Sequence, residues 1–398
     1  MQDLTKKYRL YGACGDFFFI QVLNSRTIHT VTSVFLTVAV LVLSVSFLLL
    51  KKQDFSESEN RYLEPFPVFT WESVKSGQYM EDINSYLCDH FPLRDFFIGV
   101  KTKTEITLGK KEINQVFIGK DGYLIENYQK PVNTDQISQT LKKFGEKEEL
   151  KGKELHLMLV PTAIYTYKNK LPEFAPAADQ MDTARKIYQD SGLLPIDCSQ
   201  DLLTHEKDGQ LYYRTDHHWT TYGAYVGYLA FCREKGFTPI DLDGLEKEIA
   251  ADDFCGTIYS KVNDYSQKGD VITIYRNPSD KLTVFYEDTK ETTDSLYNLE
   301  YAGKKDKYSL FLNNLHPLIE ITNENAESDR ELALIKDSYA NSMVPFLAHH
   351  YKKIYVFDTR YYKLGPSSFI KGHEGVTDVL VLYNLNTVDT DLGIRGIY

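Results

Sequence analysis

Hydrophobic positions fall into three patterns along the chain. Thr30–Leu50 reads TVTSVFLTVAVLVLSVSFLLL, without a charge. As a helix it would reach about 30 Å, enough to cross a bilayer core. Ser73–Asp95 repeats apolar residues at helical spacing, with Tyr79, Ile83, Tyr86, Leu87 and Phe91 near one face. Beyond residue 110 short apolar runs alternate with amphipathic stretches. Val116–Ile118 and Tyr123–Ile125 flank Lys120-Asp121-Gly122 and predict a hairpin. Asp135–Lys151 predicts a helix, Leu155–Val160 a buried strand, Met181–Ser191 a helix and Leu194–Ile196 a second strand.

Thr220 is a fitting N-cap for a helix over 221–235, and Gly236 fits the position after its end. Strand, helix, strand, helix indicates parallel βαβ units. Residues 250–325 break that alternation. Asp270–Arg276 and Lys281–Glu287 alternate at period two across Asn277-Pro-Ser-Asp280, which predicts an antiparallel β-hairpin insertion. Leu332–Ile335, Lys353–Phe357 and Val379–Tyr383 predict further strands, with a helix over Tyr339–His350. The fold class is therefore α/β: a parallel sheet flanked by helices, with one hairpin insertion, preceded by one N-terminal transmembrane helix.

A cleaved signal peptide competes with an anchor at Thr30–Leu50. The run is longer than a usual signal core, starts late and lacks an evident small-x-small cleavage site. These features favour an uncleaved anchor. Lys6, Lys7, Arg9 and Arg26 precede it, and Lys51 and Lys52 follow. The basic leader predicts a cytoplasmic tail over 1–29, an anchor over 30–50, an extracellular membrane-proximal segment over 51–110, and an extracellular domain over 111–398.

The net charge of -11 argues against a nucleic-acid binder, which needs a basic face. Cys14, Cys88, Cys198, Cys232 and Cys255 contain no C-x-x-C pair, so neither a zinc ribbon nor a thioredoxin-like site is expected. Their redox state stays open. The 29 tyrosines and 22 phenylalanines serve core packing or sugar stacking.

Candidate chemistry centres on Leu211–Tyr222, which contains Asp216-His217-His218-Trp219. In an extended backbone residues i and i+2 share a side, so Asp216 and His218 can meet while His217 points away. The carboxylate would hold Nδ1–H and leave Nε2 as a base. Metal ligation by this cluster is the alternative, but adjacent residues rarely all reach one ion and no H-x-x-x-H partner exists. His218 could also be a satisfied core histidine. His217 reads as a supporting residue and Trp219 as packing.

A base needs a nucleophile. Ser338 follows the apolar run Leu332–Ile335 and opens the expected helix, where backbone N–H groups, including that of Tyr339, could face an oxyanion. Its alternative role is a helix N-cap. Ser342 and Ser367 lack a preceding strand.

The Asp216-His-His-Trp219 run is the signature that the bacterial DHHW proteins carry, and this chain resembles them. They are similar to the membrane-anchored and periplasmic alginate O-acetyltransferases, whose catalytic domain is SGNH-hydrolase-like. Glu59-Asn-Arg-Tyr-Leu63, Asp89-His-Phe-Pro-Leu-Arg94, Val116–Leu124, Val160-Pro-Thr162 and Lys336–Ser342 sit where that family has similar runs. The resemblance implies Asp216, His218 and Ser338 as catalytic residues and Arg360 as a contact for the acyl group or an acidic ligand. It leaves Asn384 as the candidate for the SGNH asparagine. Because Asp-x-His precedes the serine, it implies a circularly permuted SGNH-like fold over 111–398.

The expected activity is O-acetyl transfer to an extracellular polysaccharide, with no bound cofactor or metal. The resemblance implies an acetyl donor supplied by a membrane-bound O-acyltransferase partner. Hydrolysis of polysaccharide acetyl esters by the same triad and a non-catalytic polysaccharide-binding role are the alternatives. With no carbohydrate-binding module expected after Asn384, substrate retention would rest on the main cleft or a partner.

Overall fold

The computed structural model describes residues 25–176 and 178–398. The basic cluster at 6–9 and Cys14 lie outside them. Residues 25–54 and 63–94 form one compact unit; residues 55–62 and 95–398 form a second.

In the first unit helix α1 (Ser25–Leu49) contains a stretch, Thr27–Leu49, long and apolar enough to cross a membrane. Trp71–Ser76 and Gln78–Asp89 are separate short helices. The continuous helix expected over Ser73–Asp95 is interrupted because Gly77 adopts φ 85°, a left-handed conformation that ends the first helix. The ring of Tyr86 meets Phe47 at 6.2 Å and Phe66 at 5.2 Å, edge to face.

The second unit is built on an eight-stranded sheet. In chain order its strands are β1 (Glu154–Val160), β2 (Leu194–Ile196), β3 (Leu282–Tyr286), β4 (Thr292–Thr293), β5 (Leu318–Asn323), β6 (Glu331–Lys336), β7 (Lys353–Phe357) and β8 (Val376–Asn384). Their spatial order is β4-β3-β5-β7-β6-β8-β1-β2. The half running from β7 to β2 is parallel; β5, β3 and β4 extend it antiparallel.

The central strands read as unbroken apolar runs because both faces are covered. Met158, Val160, Leu332, Leu334, Ile354 and Val356 face one core; Leu157, Leu159, Ala333, Ile335, Tyr355 and Phe357 face the other. On the second face pack α2 (Thr134–Gly145), through Ile137, Leu141 and Phe144, and α3 (Gln180–Ser191), through Met181, Ala184 and Ile187. On the first packs α4 (Thr221–Lys235), through Ala224, Val226 and Phe231. Thr220 caps α4 by accepting the Gly223 N–H at 3.1 Å, and Gly236 closes it at φ 69°. Val116–Ile118 and Leu124–Glu126 pair as the expected hairpin, joined by Glu112–Ile113 as a third strand.

Two further expectations are corrected. Asp270–Arg276 and β3 do not pair with each other. The first pairs with Glu246–Phe254 in a separate two-stranded sheet, while β3 joins the edge of the main sheet beside β5. Ile272 and Ile274 bury against Tyr213, Phe254 and Phe311; Val284 and Tyr286 enter the main core. Each apolar face thus finds its own partner, and Asn323 draws the turn toward β5 by donating its Nδ2–H to Asp280 at 2.9 Å. Second, no continuous helix spans Tyr339–His350. A 3-10 turn over Ser338–Ser342 gives way to a four-residue helix, Val344–Leu347. Pro345 has no N–H to bond back toward Asn341, so a helix begun at Tyr339 cannot run through it.

Cys88, Cys198, Cys232 and Cys255 are free thiols, and none forms a disulfide among the described residues.

Candidate active site

The loop before α4 is held by short local bonds. Leu211 O accepts the Thr220 N–H at 2.9 Å, and His218 O accepts the Tyr213 N–H at 3.2 Å. The buried Asp270 carboxylate accepts the N–H groups of Arg214 (3.0 Å) and Thr215 (2.8 Å) and the Thr215 hydroxyl (2.7 Å). These bonds bend the chain at residues 214–218 instead of leaving it extended.

At that bend Asp216 and His218 meet. His218 Nδ1–H donates to Asp216 Oδ1 at 2.5 Å, and the His218 N–H reaches the same oxygen at 3.1 Å. Nε2 accepts from Ser338 Oγ at 2.7 Å. An Asp–His–Ser line therefore runs from the loop before α4 to the C-terminal end of β6. Because the loop is bent, His217 does not turn fully away. Its ring lies 3.8 Å from the His218 ring, and its Nδ1–H donates to Thr257 Oγ1 at 2.6 Å. Trp219 does pack in the core, but its Nε1–H also donates to Tyr339 O at 2.8 Å. The Tyr339 hydroxyl donates back to His217 O, so the two loops are clasped twice.

The electrostatics favour a neutral imidazole beside an ionised carboxylate. Burial pushes the His218 imidazole down to about 4, and the neighbouring His217 adds to this against the pull of Asp216. Burial works against ionised Asp216. The two imidazoles and the Thr257 N–H outweigh it and hold the carboxyl well below the usual range. Thr257 closes the network, donating its N–H at 2.8 Å and its hydroxyl at 2.9 Å to Asp216 Oδ2.

Three residues of this network escaped the sequence reading. Thr257 is one. Gly256 is another: a Cβ there would lie 2.2 Å from Asp216 Oδ2, so only glycine permits the approach. The third is Tyr308, whose ring stacks on His218 at 3.7 Å and 9°. Its hydroxyl lies 3.1 Å from Ser338 O and 3.2 Å from Ser342 Oγ. Gly256 and Thr257 open a short helix, Thr257–Val262, and Tyr308 lies in a 3-10 turn, Lys307–Leu310; both are distant from the loop in sequence, and no periodicity marks them.

The turn carrying Ser338 is organised by Asp337. Its Oδ1 accepts the Tyr339 N–H at 2.9 Å, and its Oδ2 accepts the Asn384 N–H and Nδ2–H, both at 2.7 Å. Burial pushes Asp337 up to about 6 despite those donors. The Tyr339 N–H is thus spoken for, while the Ser338 N–H makes no hydrogen bond among the described residues. Asn384 also donates to Thr387 Oγ1 at 2.5 Å, so its amide braces Asp337. Arg360 forks onto Asp358, Nε at 2.8 Å and Nη2 at 2.5 Å, with buried Lys336 Nζ 3.6 Å from the same carboxylate. Its positive charge bears on both His218 and Asp337. Ser342 and Ser367 are fully buried.

Donor atoms of Asp216, His217 and His218 come within 4.8 Å of one another, as a metal site would require. Several of their polar atoms are already engaged in hydrogen bonds. Asp216 accepts from His218 and Thr257, His217 Nδ1 binds Thr257, and His218 Nε2 faces Ser338. Beside the triad a recess of about 30 Å³, lined by Asp216, His217, Tyr339 and Asn384, adjoins a groove of about 480 Å³. Glu126, His217, Asn386 and Thr387 line both.

With this geometry in view, comparison with known proteins is informative. The sequence profile of the DHHW protein family matches residues 143–357. The crystal structure of a DHHW family protein from Eubacterium siraeum DSM 15702 aligns with a TM-score of 0.62 at 27% identity, over 72% of this chain and 95% of that one. Bacillus cereus PatB1, solved with a sulfonyl adduct, aligns with a TM-score of 0.59 at 20% identity, over 71% of this chain and 98% of its own, a likeness of fold. Probable alginate O-acetylase AlgJ of Pseudomonas syringae pv. tomato is 24% identical over 166 residues, 39% of this chain. That match spans only 42% of AlgJ.

Proposed function

The chain belongs to the DHHW protein family, and on that footing we propose that it is a membrane-anchored O-acetyltransferase acting on a cell-surface or secreted polysaccharide. The observation that carries this reading is the line of hydrogen bonds from Asp216 through His218 to Ser338.

Neutral His218 takes the Ser338 proton at Nε2 as Oγ attacks the acetyl carbonyl. The donor's acyl–oxygen bond breaks, and its leaving group departs with that proton. A polysaccharide hydroxyl then gives its proton to His218 and attacks the acetyl-serine; the acyl–Oγ bond breaks and His218 returns the proton to Ser338. Asp216 keeps Nδ1 protonated and stabilises the transient imidazolium. The Ser338 N–H is the backbone donor free to meet the developing oxyanion. Tyr308 and Thr257 hold the ring and the carboxylate in place.

Helix α1 anchors the chain in this reading, with residues 1–29 inside the cell, the segment 51–110 next to the membrane outside, and the SGNH-like domain over 111–398 beyond it. A membrane-bound O-acyltransferase supplies the acetyl group. AlgJ of Pseudomonas syringae is named a probable alginate O-acetylase, which supports acetyl transfer to a glycan.

The test offers the full chain an activated acetyl ester with and without an oligosaccharide acceptor, beside Ser338→Ala, and reads products by mass spectrometry. Acetylated oligosaccharide from the unaltered chain alone supports transfer. Release of acetate with no transfer in the presence of varied acceptors assigns an esterase. Equal product from both chains overturns the triad.

A further inference from the structure

The groove beside His217 carries information about the acceptor. Resting on the acetyltransferase reading above, we propose that it takes a neutral, hydroxyl-rich saccharide and disfavours a polyuronate. Its lining is mostly uncharged hydrogen-bonding groups, among them Gln115, Asn127, Thr387 and Thr390. Such amides and hydroxyls match sugar hydroxyls in both directions of donation.

Its charges balance. Lys130 and Lys261 share the lining with Glu126 and Asp389. Lys261 is spent on Glu126, to which its ammonium donates directly. Asp389 holds the Val132 and Asn133 N–H groups at 3.0 and 2.6 Å. Lys130, an exposed residue at the rim, is left as the one lining cation without a partner among the described residues. Arg360 does not line this groove, and its Nε and Nη2 are engaged by Asp358.

A polyuronate brings one carboxylate per sugar and would need a row of unspent cations to replace its hydration. Here it would meet one, beside two fixed carboxylates, on a chain of net charge -11. A neutral glycan loses no charge hydration on entering and can use the uncharged lining throughout.

The test is calorimetric titration of the full chain in detergent, without acyl donor, at low and high salt. The probes are a neutral β-linked glucose or N-acetylglucosamine hexamer and a hexauronate of equal length. The neutral hexamer should bind at least about tenfold more tightly, with little change between the two salt concentrations. Glu126→Gln, which unmasks Lys261, should raise hexauronate affinity several-fold and so narrow the preference for the neutral hexamer. Equal or tighter hexauronate binding by the unaltered chain would overturn the proposal, as would the absence of measurable binding of either neutral hexamer. Ser338-dependent transfer of acetyl from an activated acetyl ester to an oligosaccharide acceptor, measured on the same preparation, judges the acetyltransferase reading separately. Its absence beside neutral-hexamer binding would remove that reading and leave the groove's preference standing.

Discussion

His218 Nε2 and Ser338 Oγ lie 2.7 Å apart although 120 residues separate them in sequence. Two clasps create that contact: Trp219 donating to Tyr339 O, and Tyr339 donating to His217 O. Each clasp joins a neighbour of His218 to the turn that carries Ser338. The His218–Ser338 pair therefore does not rely on its own hydrogen bond alone for alignment.

The pH dependence follows from burial of His218. With the imidazole pushed down to about 4, His218 stays neutral across the physiological range, as the proposed base must. The acid limb of kcat/KM should fall near pH 4, well below the usual imidazole midpoint near 6.5. Stability should move the same way. The unfolded ring protonates near 6.5 and the folded ring near 4. The contribution of the neutral ring is complete above 6.5 and is lost as pH falls from there toward 4. An acid limb at 6.5 would contradict the account.

Asp216→Asn keeps the shape and removes the charge that selects the Nδ1–H tautomer. Turnover should fall by about four orders of magnitude. The melting temperature should change far less than that loss implies. Activity within tenfold of the unaltered chain would rule out Asp216 as the orienting group.

Gly256→Ala places a methyl 2.2 Å from Asp216 Oδ2, so the carboxylate must move. Turnover should fall nearly as far as in Asp216→Asn, at a stability cost of about 1–3 kcal/mol. A fully active, equally stable alanine variant would mean that the close approach is not needed.

Tyr308 covers one face of the base. Tyr308→Phe keeps the stack and gives up the hydroxyl contacts, so it should retain the acid limb near pH 4. Tyr308→Ala admits water to the ring and should move the limb toward 6.5 while lowering kcat. A limb unmoved in the alanine variant would make Tyr308 a packing residue only.

The site was legible where chemistry and periodicity coincide. Leu332–Ile335 is apolar without a break because both faces of β6 are buried, and that marked Ser338 as the residue beyond a strand's end. Asp216 and His218 were legible through their spacing, although the loop is bent and His217 folds back beside His218. The hairpin at Asp270–Glu287 was misread because its true partner, Glu246–Phe254, is charged, mostly exposed and without apolar alternation. A period-two strand announces an apolar face but not what will cover it. Gly256, Thr257 and Tyr308 reach Asp216, His218 and Ser338 only through tertiary approach. Asp337 was visible as a neighbour of the serine, but not as the acceptor that occupies the Tyr339 N–H.

The central claim is that Ser338 carries the acetyl group. The most direct measurement is peptide mass spectrometry of the full chain, quenched in acid shortly after mixing with an activated acetyl ester. The account predicts an acetyl adduct on the peptide containing Ser338, localised to that residue. The adduct should be retained in His217→Ala and lost in Ser338→Ala and His218→Ala. An adduct on another residue that forms and decays at the turnover rate, or unchanged turnover in Ser338→Ala, would contradict it.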